Sequence, residues 1–287
     1  MQDIEGKVAF VTGGASGLGF AMAQSFLAAG MKVAIADIED AALAAASEQL
    51  GSNDAELIAL QVDVTDRQAM SAAKEATLSA FGKVHVVCNN AGVAVGGHVA
   101  DMSYADWDWV MGVNLQGVIN GIVTFLPHIR AQGEAGHFVN TASIAGHLGM
   151  PSLSVYNATK FAVVGITESM RLDLASENIG ASVLCPGVVG TNLFDSERNR
   201  PEALAGSQDN RLVGRGLADE ERQAALEERA TDMMPPAVIG DMVLHAVRQN
   251  ELYILSHEEF RAPLEARAEE IAKSFDRWAQ YRNQRGV

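Results

Sequence analysis

The sequence predicts an α/β fold: a doubly wound parallel sheet in a single domain spanning residues 1–287. Three observations carry that prediction. Short apolar runs rich in β-forming residues alternate with stretches whose apolar residues recur at helical spacing, the pattern of strand–helix–strand units. The first of these runs breaks directly into a glycine-rich loop and then a helix. The chain has 287 residues, 48% of them hydrophobic, with no long charged tract, so it can bury one sizeable core without dividing in two.

Composition narrows the function classes. The net charge is −15 with no basic patch, which argues against nucleic acid and against anionic membrane surfaces as partners. Met1–Gly6 has neither the basic nor the apolar region of a secretion signal, and no later apolar run is expected to reach membrane-spanning length. A cytoplasmic protein without a membrane partner is the expectation. Cys88 and Cys185 each close an apolar run, the usual place of a small buried hydrophobe. With no Cys-x-x-Cys and no His cluster, neither a disulfide nor a metal site is expected.

Lys7–Thr12 reads as the first strand, followed by Gly13-Gly14-Ala15-Ser16-Gly17-Leu18-Gly19 and a helix from Phe20 to Ala29. Glycines in that place let backbone amides approach a pyrophosphate at the helix N-terminus, where free N–H groups and the helix dipole favour anions. The arrangement is Rossmann-like. The second strand, Lys32–Ala36, ends at Asp37, where a carboxylate accepts hydrogen bonds from an adenosine ribose and repels a 2′-phosphate. Ala15, Ser16, Ile38 and Glu39 offer no Arg or Lys to neutralise such a phosphate, so NAD(H) is expected over NADP(H). Asp37 can also cap the helix Ala41–Leu50.

Leu57–Val62 is the third strand, leading into Asp63-Val64-Thr65-Asp66, with Thr65 or Asp66 capping a helix through Phe81. Val84–Cys88 is the fourth, running into Asn89-Asn90-Ala91-Gly92, small residues suited to the crevice at strand C-termini. Tyr104–Arg130 keeps helical spacing around Asn114, a misfit because an Asn side chain competes for backbone groups. The fifth strand, His137–Ala142, delivers Ser143, and the helix Val155–Glu177 places Tyr156 and Lys160 one turn apart. A phenol ordinarily titrates near ~10, and a cation at i+4 lowers the cost of ionising it, so Tyr156 is a candidate acid/base. Gly180–Cys185 is the sixth strand, ending in Pro186-Gly187-Val188-Val189-Gly190-Thr191.

From 192 to 234 the chain turns polar, an insertion with one expected helix at Ala218–Thr231, placed to cover the substrate end of the crevice as a lid. A helix Ala237–Arg248 and an edge strand Leu252–Leu255 follow. The C-terminal helix, 258–283, carries Phe260, Leu264, Ile271, Phe275 and Trp278 on one face, for docking against the body or a subunit partner.

Taken together, Thr12-Gly13-x-x-x-Gly17-x-Gly19, Asn89-Asn90-Ala91-Gly92, the Ser143-to-Tyr156 interval, Tyr156-x-x-x-Lys160 and Pro186-Gly187-x-x-x-Thr191 resemble the short-chain dehydrogenase/reductase family. The resemblance covers nearly the whole chain and is strongest from Val8 to Thr191. It implies a catalytic tetrad of Asn114, Ser143, Tyr156 and Lys160, in which Asn114 interrupts its helix and holds a water linking Lys160 to solvent. It implies NAD contacts from Gly13, Ser16, Gly17, Leu18 and Gly19, from Asp37 and Ile38, and from Asp63 and Val64 at the adenine. Asn90, Ala91, Gly92, Tyr156, Lys160, Pro186, Gly187, Val189 and Thr191 would continue along the cofactor. It also implies a small-molecule substrate and a homotetramer or homodimer.

The runs Val113–Gly121, Asn199–Glu202 and Leu252–Arg267 are similar to a branch holding bacterial dehydrogenases of aryl ether alcohols and reductases of bulky ketones. That implies hydride transfer between NAD(H) and a bulky hydrophobic or aromatic secondary alcohol. Candidate wall residues are Ala94, Val95, Ile144, Leu153, Val188, Leu193 and Phe194, with His147 as a polar contact. Three alternatives stand beside it: a sugar or polyol dehydrogenase of the same fold, a sugar-nucleotide epimerase, and a non-catalytic NAD-binding protein. The Gly13–Gly19 spacing and modest length count against the epimerase, and the full tetrad counts against the non-catalytic protein.

Overall fold

Strands β1 (Val8–Thr12), β2 (Lys32–Asp37), β3 (Leu57–Gln61), β4 (Val86–Asn89), β5 (Gly136–Thr141), β6 (Ile179–Cys185) and β7 (Tyr253–Leu255) pair in parallel in the order β3-β2-β1-β4-β5-β6-β7. This is a computed structural model, which describes residues 1–51, 56–205, 212, 221 and 233–286. The helices are α1 (Gly17–Ala28), α2 (Asp40–Leu50), α3 (Arg67–Phe81), α4 (Tyr104–Met111), α5 (Gly117–Gln132), α6 (Ser154–Asp173), α7 (Pro236–Gln249) and α8 (Arg261–Arg285).

Every residue of β1, β4, β5 and β6 is buried, because helices cover both faces of the sheet. Alternate side chains then serve two cores. Ala9, Val11, Val33 and Ile35 meet Met22 and Phe26 of α1 and Ile239 and Val243 of α7. Phe10, Ala34 and Val87 point the other way, toward Met70 of α3 and Phe125 of α5, with the Phe10 and Phe125 rings 4.5 Å apart. The chain winds from β1 out to β3, then returns to the other side of β1 with β4. That reversal opens a crevice at the C-terminal ends of β1 and β4, where open parallel sheets bind ligands.

Several boundaries differ from the sequence expectation, each for a local reason. Strand β4 starts at Val86 rather than Val84, because the Gln132 side chain occupies both backbone groups of Val84, at 3.0 and 2.8 Å. Glu39, not Asp37, sits at the N-cap of α2, while Asp66 caps α3 by accepting from the N–H groups of Gln68 and Ala69. The stretch 104–132 is two helices joined by a π turn at Gly112–Gln116, with Asn114 in its middle. By length and composition this 29-residue run could cross a membrane, contrary to the expectation that none would. It is the core helix of the fold, packed against α3, α6 and β4 and carrying buried Asp106, Asn114 and Asn120.

Helix α8 does not dock its apolar face against the body of its own chain. None of its residues is buried, and Phe275 and Trp278 are 73% and 61% exposed. Its contact with the body includes the Arg267 guanidinium over the Phe161 ring at 5.3 Å. The expected helix at Ala218–Thr231 lies outside the described residues, apart from Glu221.

Burial of a titratable group in the sheet gives a test of the fold. His137, on β5, is buried with Nε2 2.7 Å from the Ser182 hydroxyl, and desolvation pushes its pKa down to about 3. The unfolded chain therefore binds a proton near pH 6.5 that the folded chain refuses. Stability should be fullest above pH 6.5 and fall by about 1.4 kcal/mol per unit as pH drops from there toward 3. Melting temperatures of wild type and His137→Gln should converge as pH falls through that window; parallel curves would show that His137 does not carry the acid sensitivity.

Candidate active site

The crevice is assembled by side chains that tie strand ends together. The Thr12 hydroxyl oxygen accepts from the N–H groups of Asn90 (2.9 Å) and Ala91 (3.1 Å) and donates to the Cys88 carbonyl at 3.3 Å. The Asn90 amide donates to the Thr12 carbonyl at 3.0 Å and accepts from the Thr141 hydroxyl at 3.2 Å. The ends of β1, β4 and β5 are thereby held as one rim. Over that rim, Gly17 adopts φ of +52°, and a Cβ at Gly19 would lie 2.0 Å from the Gly13 carbonyl oxygen, so neither position takes a side chain. Helix α1 begins with Ser16 at its N-cap, no side-chain cap and no acidic residue in its first turn, which leaves its N–H groups available to an anion.

At one end of the cleft, Asp37 accepts from the N–H groups of Ala15 (3.1 Å) and Glu39 (3.2 Å). Burial raises its pKa against those donors. Asp63 accepts from the backbone and hydroxyl of Thr65, both at 2.8 Å.

At the other end, Ser143 leaves β5 with its hydroxyl accepting from Ala145 N–H at 3.1 Å and donating to the Pro186 carbonyl at 3.4 Å. The first turn of α6 is bound to that loop by Asn157, whose amide donates to the carbonyls of Ala145 (2.7 Å) and Leu148 (2.6 Å). This fixes where Tyr156 and Lys160 stand. The Lys160 ammonium donates to the Thr141 carbonyl at 2.8 Å and lies 5.4 Å from the Tyr156 ring centroid. Burial pushes Tyr156 up to about 12, with the neighbouring Ser143 hydroxyl opposing, and pushes Lys160 down to about 8. Desolvation dominates both groups, so in the protein alone the phenol stands above its ordinary value even with the Lys160 cation beside it.

Asn114 stands behind them, fully buried. Its side chain pairs with the Val93 backbone, accepting from N–H at 2.8 Å and donating to the carbonyl at 2.9 Å, and it donates to the Thr159 hydroxyl at 3.3 Å. The π turn widens the helix where this residue must reach outward. Beyond β6, the Pro186–Val188 loop is gripped by His257, which accepts from Gly187 N–H at 3.1 Å and lies 3.1 Å from the Val188 carbonyl through Nε2. Neither His257 nor Asn157 carries a motif signature, and sequence reasoning passed over both.

The segment 192–204 crosses the mouth as a strap. Ser196 binds the Ala94 backbone, its hydroxyl oxygen accepting from N–H at 3.0 Å. Arg200 buries its guanidinium against Asp106 at 2.8 Å and stacks on Trp109 at 5.0 Å. Burial alone would raise the Asp106 pKa, but donors from Ser103 and Arg200 outweigh it and hold the pKa low. Arg198 pairs with Glu39 at 2.7 Å. The chain returns at Met234, bridged to Val189, so the insertion starts and ends beside the same loop.

One cleft is lined by Gly13, Ser16, Gly17, Leu18, Asp37, Ile38, Asp63, Val64, Asn90, Ala91, Gly92, Ser143, Tyr156, Lys160, Pro186, Gly187, Val189 and Thr191. Gly19 and Asn114 lie outside its lining, Gly19 beneath the loop and Asn114 behind Lys160. Of the expected substrate wall, Leu193 and Phe194 line it, joined by Val93, Trp109 and Val113, which sequence reasoning missed. Ala94, Val95, Ile144, Leu153, Val188 and His147 do not line it. Ala94 and Val95 pack in the cores beneath, and His147 turns toward Cys185, 3.4 Å from its sulfur. Both cysteines are buried free thiols, with Cys185 pushed up to about 12 by burial.

Removing one partner of the buried Arg200–Asp106 pair leaves the other charge uncompensated. Arg200→Leu should cost about 3 kcal/mol of stability by chemical denaturation, and adding Asp106→Asn should restore part of it. Equal stability of Arg200→Leu and wild type would mean that the strap is not held this way.

The chain matches the family model described as short chain dehydrogenase over residues 7–202. A short chain dehydrogenase/reductase from Burkholderia phymatum, solved in complex with NAD, superposes with a TM-score of 0.87 at 39% identity, covering 96% of this chain and 97% of that one. A "C alpha-dehydrogenase" of Sphingobium sp. (strain SYK-6) is 34% identical over 275 residues, 96% of this chain and 88% of its own. A "CLA biosynthesis dehydrogenase/reductase" of Lactiplantibacillus plantarum is 33% identical over 273 residues, 94% of this chain and 95% of its own. With the parallel sheet, the glycine loop and the Ser143, Tyr156 and Lys160 cleft already in place, these matches establish that the chain belongs to the short-chain dehydrogenase family.

Proposed function

We propose that this protein is an NAD-dependent oxidoreductase that transfers a hydride between NAD(H) and a secondary alcohol or ketone bearing bulky hydrophobic or aromatic groups. The observation that carries the reading is a single cleft with the Asp37 carboxylate at one end and Ser143, Tyr156 and Lys160 at the other. The NAD held by the Burkholderia relative and the C alpha-dehydrogenase name of the Sphingobium relative support it.

The residues present fit the cofactor: free N–H groups at the start of α1 for the pyrophosphate, Asp37 for the adenosine ribose, and Asp63 and Val64 for the adenine. Bound NAD⁺ supplies the hydride acceptor and a positively charged ring. The Ser143 hydroxyl positions the substrate oxygen. Tyr156 takes the hydroxyl proton during oxidation and returns it during reduction. Lys160 holds the nicotinamide ribose and stabilises the ionised phenol, which buried alone is pushed up to about 12. Asn114 keeps the role the family resemblance gives it, a water behind Lys160, although its own amide is committed to Val93 and Thr159 at the π turn. Val93, Trp109, Val113, Leu193 and Phe194 give the substrate end an apolar, aromatic wall. The insertion 192–234 is read as its lid, a reading supported by the strap 192–204 across the mouth and by Met234 bridged to Val189. The reading includes a cytoplasmic homotetramer or homodimer, supported by the exposed Ile271, Phe275 and Trp278 of α8. Light scattering on the eluting protein checks the assembly, and a monomer would remove that part.

The central test is Tyr156→Phe, which should lose about 10³-fold in kcat with aryl carbinols while its NADH Kd stays within about threefold of wild type. Retained turnover would unseat Tyr156. In the wild type, kcat/KM with NAD should exceed that with NADP, and turnover of polyols alone would move the substrate to the sugar or polyol class. Lys160→Met should also shift the rising, alkaline limb of the oxidation pH profile upward by at least about one unit, because the tyrosinate loses its neighbouring cation; an unmoved limb would assign Lys160 to ribose binding only.

A further inference from the structure

The adenosine end of the cleft carries a cation that the local sequence around Asp37 does not disclose. Arg198 and Asn199, on the strap, line the same cleft as Asp37, Ile38 and Glu39. One oxygen of Glu39, Oε1, accepts from Arg198 Nε at 3.1 Å, from Arg198 Nη2 at 2.7 Å and from Asn199 Nδ2 at 2.7 Å. The remaining arm of Arg198, Nη1, donates to the carbonyls of Asn192 at 3.0 Å and Asp195 at 2.8 Å. Every nitrogen of the guanidinium is thus occupied. Hydrogen bonds from Arg198 hold the Glu39 carboxyl below its ordinary pKa, so the pair is ionised at neutral pH.

We infer that Glu39 is a cofactor-specificity residue, which acts by sequestering Arg198 from a 2′-phosphate at the adenosine ribose. This rests on the NAD reading above and deepens it. A guanidinium presents a planar fork that matches a phosphate in two hydrogen bonds, the strongest recognition a side chain offers that group. Arg198 and Lys160 are the Lys and Arg side chains lining the cleft among the described residues, and Lys160 is held by the Thr141 carbonyl at the far end. Asp37 and Glu39 sit on one loop, with Glu39 N–H bonded to the Asp37 carboxylate at 3.2 Å, so the fork is held one carboxylate away from the ribose position. With Glu39 in place, the carboxylates of Asp37, Glu39 and Asp63 outnumber the one guanidinium by two; without it the excess falls to one and the Nε–Nη2 edge of the fork is free. Asp37 repels a 2′-phosphate directly; Glu39 removes the group that would otherwise welcome it.

Glu39 can be replaced without unpicking α2: it stands at the N-cap, but its side chain makes no cap bond there. The test is a cycle of wild type, Glu39→Ala, Arg198→Ala and the double variant, with Glu39→Gln as a second single that keeps side-chain size. Calorimetric Kd values for 2′,5′-ADP and 5′-AMP report the adenosine end directly, and kcat/KM with NADP and NAD follows in the full reaction. Glu39→Ala should improve the 2′,5′-ADP to 5′-AMP affinity ratio at least tenfold, and Arg198→Ala in that background should bring it back within about threefold of wild type. A ratio unchanged in both Glu39 singles overturns the inference. So does a double variant that keeps the gain, since Glu39 would then act only through its own charge. A wild type that already favours 2′,5′-ADP fails the NAD reading itself, before any variant is made.

Discussion

The structure depends on a buried ammonium. Lys160 is 3% exposed, and its pKa is pushed down from 10.5 to about 8 by desolvation, which amounts to about 3 kcal/mol against the charged form. A lysine is kept in such a place only if its surroundings are fixed. The Thr141 carbonyl at the end of β5 accepts its hydrogen bond, the Ala145–Leu148 loop is bound to the start of α6 by Asn157, and Asn114 closes the space behind through Val93 and Thr159. These contacts tie α6 to the end of β5, to the loop that follows it and, through Thr159, to the π turn at Asn114. The position of Tyr156 follows from them.

The same economy of long-range side-chain contacts governs the mouth of the cleft. The strap is not held by secondary structure; it is held by Ser196 on Ala94, Arg200 on Asp106 and Trp109, and Arg198 on Glu39. Two of these are ion pairs, and they differ in kind. The Arg200–Asp106 pair is almost wholly buried, with side chains 6% and 0% exposed, so it contributes through the high cost of separating it. The Arg198–Glu39 pair is about one-third exposed and screened by solvent, and so is suited to setting the charge of the cleft more than to stabilising the fold. His257 plays the comparable part at the Pro186–Val188 loop, reaching back from beyond β7.

Alcohol oxidation asks for a base inside an apolar pocket, and those requirements conflict. Under the proposed function, the apolar wall of Val93, Trp109, Val113, Leu193 and Phe194 suits a hydrophobic substrate, while burial at the same end raises the Tyr156 phenol to about 12. Positive charge nearby is what reconciles them, and Lys160, 5.4 Å from the ring, is the protein's own share of it.

Much of this was legible from residues in sequence order. Strands buried on both faces wrote themselves as unbroken apolar runs, the glycine loop marked the first turn, and Tyr156-x-x-x-Lys160 placed two groups on one helix face because helical periodicity is local. Other features were beyond its reach. Asn114 was visible as a misfit, but its partner Val93 was not; His147 looked like a pocket residue, and the fold turned it toward Cys185; α8 displayed an apolar face, and none of its own residues is buried among the described residues. Arg198 meets Glu39 across 159 positions, and Gly187 meets His257 across 70, separations at which no periodicity survives. The sequence by itself determined the elements, their parallel alternation and the chemical groups brought to the crevice rim. Tertiary structure alone decided which charges face one another and which are buried, because pairing and desolvation depend on distances through space between segments whose separation along the chain says nothing about contact.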